Sequence, residues 1–256
     1  SYPQLQALPN VQTYLIDSYS WMGVIFNKKQ GPMSDVRLRQ AVNYAIDKEQ
    51  VSAAAVGDPA FYALDPGIFF PTQKELWTDA GKEVFATYDV AKAKQLMQEA
   101  GYGGEPVTMM ITKDYDWNYN AGQVIAQQME EAGFNVEIQV YDWPTMLQRR
   151  TDPAAFDIFL TGLSPSFDPT AVIWLAPSWP GWYESDKMSS LLNQWSLTTD
   201  PGEKSQLVAE IQSTVYEEMP LVKIANRLGL AASQKRLAGY PNWMDLTFWN
   251  TWLQEQ

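Results

Sequence analysis

The chain has 256 residues with a net charge of −12 and neither His nor Cys. That composition excludes thiol nucleophiles, Ser-His-Asp triads and the usual zinc sites, and it removes the commonest general base. The acidic balance argues against nucleic acid, since phosphate binding needs clustered Lys and Arg, and disfavours anionic membrane surfaces; no window approaches 18 consecutive apolar residues, so no membrane insertion is expected.

Residues 1–20 contain Pro3 and Pro9 without periodicity and predict a loosely extended lead-in. Ser1-Tyr2-Pro3-Gln4 has no basic start and no apolar stretch, so no signal peptide is expected there; either one was removed or the chain is a fragment. A strand is predicted over 22–27, then a turn through Gly31-Pro32. Ser34 or Asp35 caps the next helix, whose buried face is Val36, Leu38, Ala41, Val42, Ala45 and Ile46. Asp47 caps a second helix ending at Val56, with Gly57 as its stop. Residues 58–87, rich in Pro, Gly and aromatics, predict a long irregular excursion of the kind that often carries function.

Regularity returns with Asp89 capping a helix over 90–100 before Gly101, a strand over 106–112, and a helix over about 120–132 ended by Gly133. Val136, Ile138 and Val140 alternate with polar neighbours, which is the period of a strand buried on one face. A short helix over 144–150 and a strand over 156–161 follow. This strand–helix order predicts an α/β fold, a mixed sheet with crossover helices. Helices over 186–196 and 201–218 come next, then short strands over 221–225 and 228–232 that could pair as a hairpin. The tail from Tyr240 carries Trp243, Phe248, Trp249 and Trp252, an apolar set that needs a surface to lie on.

Several segments could carry chemistry. Asp114-Tyr-Asp-Trp-Asn118 starts like a calcium loop, but Tyr119 stands where Gly is required and Ile125 where Glu is, so a polar helix start is the better reading. The near pairs Asp47/Glu49, Glu130/Glu131 and Glu217/Glu218 point in different directions on a helix and suit solvated faces, not a hydrolase pair. Arg149-Arg150 could grip an anion; the reading favoured is that both complement the helix dipole. Thr161-Gly-Leu-Ser-Pro-Ser-Phe-Asp-Pro169 follows a hydrophobic strand directly, where α/β sheets gather ligands. Ser164, Ser166 and Asp168 offer polar groups and Phe167 a stacking face, while a plain Pro-rich turn explains the same residues equally well.

Four stretches in order resemble family 5 solute-binding proteins. They are Phe26-Asn27 with Pro32 and Asp35-Val-Arg-Leu-Arg-Gln-Ala-Val-Asn-Tyr-Ala-Ile-Asp-Lys48; Tyr88-Asp89 through Gly101-Tyr102; residues 127–143 with Phe156-Asp157-Ile158 and Asp168-Pro169; and Ser185-Asp186 with Leu191-Leu192 and residues 217–224. The matches cover about residues 21–232. The resemblance implies the second, C-terminal lobe of a two-lobed, type II-like periplasmic binding protein. Residues 1–20 would be a hinge segment from the first lobe, 21–232 the ligand-binding α/β lobe, and 233–256 a return segment packing on the absent N-terminal lobe.

It further implies a non-enzymatic receptor, periplasmic or extracellular and lipid-anchored through its N-terminal part, that delivers a small solute or peptide to the permease subunits of an ABC importer. The residues expected at the ligand are Trp21, Asn27, Trp143, Leu163, Ser164, Ser166, Phe167 and Asp168, with no metal and no cofactor. In peptide-binding members an Asp in this loop pairs with the peptide's α-ammonium. Here the loop is shorter, Ser166 stands nearest to that position, and Asp168 belongs to the following Asp-Pro step. The ligand class therefore stays open among peptides, nickel chelates, sugars and opines. Two other readings remain: a carbohydrate-active hydrolase with facing carboxylates, and an interaction module without a small-molecule site.

Overall fold

The computed structural model describes residues 2–240 and 251–254. In chain order it runs α1 (Tyr2–Gln6), β1 (Val11–Phe26), α2 (Val36–Ala45), α3 (Lys48–Val56), β2 (Tyr62–Ala63), α4 (Lys82–Ala86), α5 (Val90–Ala100), β3 (Pro106–Thr112), α6 (Asp116–Ala132), β4 (Asn135–Tyr141), α7 (Trp143–Arg149), β5 (Ile158–Leu163), α8 (Asp186–Leu197), α9 (Pro201–Glu218), β6 (Leu221–Gln234), β7 (Leu237–Ala238) and β8 (Trp252–Leu253). Asp35, Asp47, Asp89 and Asp200 cap α2, α3, α5 and α9, each carboxylate accepting from a first-turn amide.

Six strands form one sheet in the order β2-β6-β1-β5-β3-β4. β3 is parallel to β4 and β5, with α6 crossing between β3 and β4, whereas β1 is antiparallel to β5 and β6. Alternating side chains divide between two cores. Met22, Val24, Phe26, Val107, Met109, Ile111, Ile158 and Leu160 meet α2, α3, α5 and α6 on one face. Trp21, Ile25, Met110, Phe159 and Leu163 meet α8, α9 and the 68–76 segment on the other. This is the mixed sheet with helices that the element order predicts.

Two expectations need correction. Residues 1–20 are not a loose lead-in: α1 is followed by a β1 that starts at Val11, where residues 11–16 pair with residues 229–234 of β6. Nor do 221–225 and 228–232 form a hairpin, because β6 runs unbroken through both and spends its hydrogen bonds on β1. The register slips between Ile16 and Ser20, so β1 and β6 form a two-stranded arm beyond a β-bulge. The excursion 58–87 holds β2, α4 and the buried Ile68, Phe69 and Phe70, so it is largely packed. Of the aromatic tail, Trp252 is exposed in the small β7–β8 ladder. Trp243, Phe248 and Trp249 lie outside the described residues.

Candidate functional site

β5 ends at Leu163, two residues later than the sequence suggests, so Gly162 and Leu163 belong to the sheet and the loop proper starts at Ser164. Opposite them on β1, Met22 pairs with Gly162 and Trp21 with Leu163. The strand ends at Leu163, and the loop 164–168 lines a recess of about 580 Å³. Trp21, Ile68, Trp143, Arg150, Trp174 and Trp179 join the loop in its walls. Trp21 is buried and meets Trp174 edge-on at 5.9 Å between ring centres.

A second, wider cavity of about 980 Å³ adjoins it, sharing Trp143, Gly162 and Ser164. Its far wall is the bulge of the arm, with Tyr19, Ser20 and Arg227, and its near wall is Tyr115 and Trp117 from the start of α6. Asp114 fixes this corner, since its carboxylate accepts the Trp143 amide at 2.7 Å and so ties the β3–α6 loop to α7. Tyr115 then meets Trp143 edge-on at 5.5 Å. Together the two cavities make one open, aromatic-lined face at the end of β5 and beside the arm.

The expected site residues fall out as follows. Trp21, Trp143, Ser164, Ser166, Phe167 and Asp168 all line the recess; Leu163 lines it too, but its side chain is buried in the core. Phe167 is 66% exposed, a ring held out over the opening. Ser166 turns its hydroxyl inward, donating to the Asp168 carbonyl at 2.9 Å. Asp168 is also engaged: one oxygen accepts from the Thr170 amide and hydroxyl, the other from the Trp195 indole at 3.3 Å. Burial alone would raise its pKa, but these bonds outweigh burial and hold the carboxyl below its usual range.

Asn27 is not brought to this face. It follows β1 beyond the Phe26–Ile158 pair, opposite Asp157, which places it about 20 Å along the strand from the Leu163 end of β5. It is fully buried, with its amide donating to the carbonyls of Pro153 (2.7 Å) and Phe156 (2.9 Å) and its oxygen accepting from the Lys29 amide. Those bonds shape the turn that feeds β5, a structural duty.

Two arginines reach the face that sequence reasoning did not place there. Arg150, read as a helix-dipole partner, lines the recess with its guanidinium near Trp179 (5.4 Å) and Phe159 (5.8 Å), and its buried Nε has no hydrogen-bond partner. Arg227 lies over Trp117 at 4.1 Å and gives Nε and Nη2 to the Ser20 hydroxyl at 3.2 and 3.1 Å. Neither has an ion-pair partner among the described residues. A single cation on β6 gives no sequence signal; only the bulge aims it at the cavity.

Beneath Trp21 sits a further charge. Lys223 is buried 5.6 Å from the Trp21 ring and pairs with Asp65 at 3.3 Å and with the Gly67 carbonyl. Burial lowers its pKa to about 8. Asp65 also accepts from the Trp77 indole and the Gly67 amide, so this network anchors the 65–77 segment whose Ile68 lines the recess.

A hydrolase would need two carboxylates facing one another across such an opening. Among the described residues Asp168 is the single carboxylate lining the two cavities, and both its oxygens accept hydrogen bonds. The arrangement offers ring faces, backbone and two guanidinium groups.

Fold and face thus define one lobe of the kind found in periplasmic binding proteins. In particular, the chain belongs to the bacterial extracellular solute-binding proteins, family 5, whose middle-region model matches residues 1–183. Members of this family bind solutes and are not enzymes. A probable peptide ABC transporter periplasmic-binding protein of Sinorhizobium fredii is 28% identical over 255 residues, covering 93% of this chain and 47% of the relative. The glutathione-binding protein of Escherichia coli is 23% identical over 257 residues, covering 92% of this chain and 48% of its own.

Among solved structures, the substrate-binding protein CtaP of Listeria monocytogenes superposes with a TM-score of 0.87 at 22% identity, over 99% of this chain and 54% of that one. The oligopeptide-binding protein AppA of Bacillus subtilis, solved with a nonapeptide, gives 0.84 at 19% identity, over 99% and 54%. These likenesses establish the fold. The chain spans about half the length of the relatives it matches.

Proposed function

We propose that this chain is the ligand-gripping second lobe of an ABC importer's solute receptor, and that a small solute of the peptide-importer class lies on the face between the 164–168 loop and Arg227. The observation that carries the reading is the joined pair of cavities, walled by seven Trp and Tyr rings at the end of β5. Large rings give contact area at little entropic cost, which suits capture without chemistry.

The β1–β6 arm is the segment that would lead to a first lobe, with the division between lobes near its bulge rather than at a loop. A second lobe closing over the face would complete the enclosure. The receptor would act outside the cytoplasm, held there by an N-terminal lipid, and hand its solute to membrane permease subunits.

The test is calorimetry on the full-length protein and on this chain alone, against peptides, sugars, opines and nickel chelates. The full-length protein should bind a member of one class, and this chain should bind the same compound weakly or not at all, because it supplies about half the contacts and binding surpluses are small. Failure of every class with the full-length protein, or micromolar binding by this chain alone, would refute the two-lobe capture reading.

A further inference from the structure

We infer that the solute carries an anionic group, a carboxylate in the simplest case, and that Arg227 is the residue that holds it. The inference rests on the reading of this chain as a solute-binding lobe and narrows what that lobe accepts.

The chain has 30 acidic residues against 18 Lys and Arg, so a random patch of its surface should be negative. The candidate face reverses that. Among the described residues its lining holds two arginines and one carboxylate, Asp168, whose oxygens already accept from Thr170 and Trp195. Among the described residues nothing acidic lines the cavity that holds Arg227.

Arg227 is also prepared for an incoming anion. Its side chain is half-buried, sandwiched near Trp117 and 5.7 Å from the ring of Tyr19, so the guanidinium plane is fixed before anything binds. Nε and Nη2 spend one hydrogen each on the same acceptor, Ser20 Oγ. A guanidinium has five N–H donors, so the two on Nη1 and one on Nη2 remain. Among the described residues no hydrogen bond uses Nη1, and the phenol of Tyr19 is the only titratable group acting on it. Burial costs a charged group free energy unless a partner offsets it. Two flanking rings and one hydroxyl supply part of that offset, and a carboxylate across the remaining fork would supply the rest.

The loop points the same way. A solute read by its ammonium group would need a free carboxylate opposite it. Ser166 donates to its own loop and Asp168 already accepts three hydrogen bonds from Thr170 and Trp195, so the one carboxylate lining the recess among the described residues is largely engaged within the lobe. Arg150, with its unpartnered Nε in the recess wall, extends the cationic side of the site.

The test uses the full-length protein in calorimetry against a charge-matched panel: dipeptides and tripeptides, their N-acetyl forms, their C-terminal amides, simple dicarboxylates, opines and neutral sugars. We expect every binder to carry a carboxylate. Amidating that carboxylate should weaken binding by about 100-fold, the cost of removing one partner from a charge-assisted pair. Acetylating the amine should change it less than tenfold. Arg227→Met should lose a similar factor and bind acid and amide alike. Arg227→Lys, which keeps the charge without the fork, should recover part of the preference.

A binder without an anionic group, an amide that binds as well as its acid, or Arg227→Met retaining the preference would each overturn the inference while leaving the lobe a solute-binder. The acid–amide comparison on the unaltered protein needs no variant to fold. If no compound binds, both the inference and the receptor reading fall.

Discussion

Lys48 opens α3 with its side chain 6% exposed, its Nζ 3.5 Å from the Asn43 carbonyl and 5.3 Å from the Phe85 ring. No carboxylate forms an ion pair with it among the described residues, and burial lowers its pKa from 10.5 to about 7, with Asp47 opposing the shift. Between about pH 7 and 10.5 the unfolded chain therefore holds a proton that the folded chain has released. The contribution of this group to stability rises with pH across that window and is flat, at its least favourable, below it.

At about 1.4 kcal/mol per pKa unit, the penalty near neutral pH is on the order of 3–5 kcal/mol. Lys48→Met keeps the length of the side chain and removes the charge. Its urea midpoint, followed by tryptophan fluorescence, should exceed that of the unaltered chain by about 1–2 M at pH 6.5, taking a typical slope for unfolding in urea. The gap should close towards pH 10.5. Lys28 and Lys223, also lowered by burial, titrate in both proteins and cancel in the difference. A gap that stays constant with pH, or a less stable variant at pH 6.5, would refute a buried, unpaired charge at this position.

Two substitutions test how the site is held. A Cβ added at Gly122 on α6 would stand 2.6 Å from Cγ2 of Ile111, a fully buried residue of β3. Alanine normally favours a helix interior by about 1 kcal/mol, but here overpacking should win: Gly122→Ala should lose about 1–3 kcal/mol in urea unfolding, and a gain in stability would refute the close packing of α6 on β3. Asn118 accepts from the Thr112 amide at 2.9 Å and donates to the Leu160 carbonyl at 2.8 Å, joining β3 to β5 beyond their shared ladder. Asn118→Leu should cost about 2–4 kcal/mol, because two buried backbone groups lose their partners. A loss below about 0.5 kcal/mol would show that the strand ends do not depend on that bridge.

Most helices and the inner strands were legible because their causes are local. An Asp before an apolar-periodic run is a cap wherever it occurs, and Val136, Ile138 and Val140 alternate whatever lies beside them. β1 was not legible in the same way. Residues 11–16 earn their strand from partners at 229–234, more than two hundred positions away, and Pro3 and Pro9 made the whole segment look irregular. β6 was cut in two for the complementary reason: Asn226-Arg227 reads as a turn in isolation, but both residues pair across the sheet, Arg227 with Ser20 and with Tyr62.

How much of the candidate face is legible in the sequence has a physical reason. The residues at the end of β5 line the recess as expected from chain position alone, since strand ends gather ligands. Asn27 lies away from this face because a motif records which residues occur together, not which end of a strand they occupy. Arg150 and Arg227 escaped because the direction of a long side chain is decided by tertiary packing, in one case by Trp179 and Phe159 and in the other by Trp117 at the bulge. The net charge of −12 deepened that miss, since an average over the surface says nothing about the sign of one cleft. A low-dielectric cleft focuses its own charges. An acidic protein can therefore hold a cationic face, and the acid–amide pair measures whether this one does.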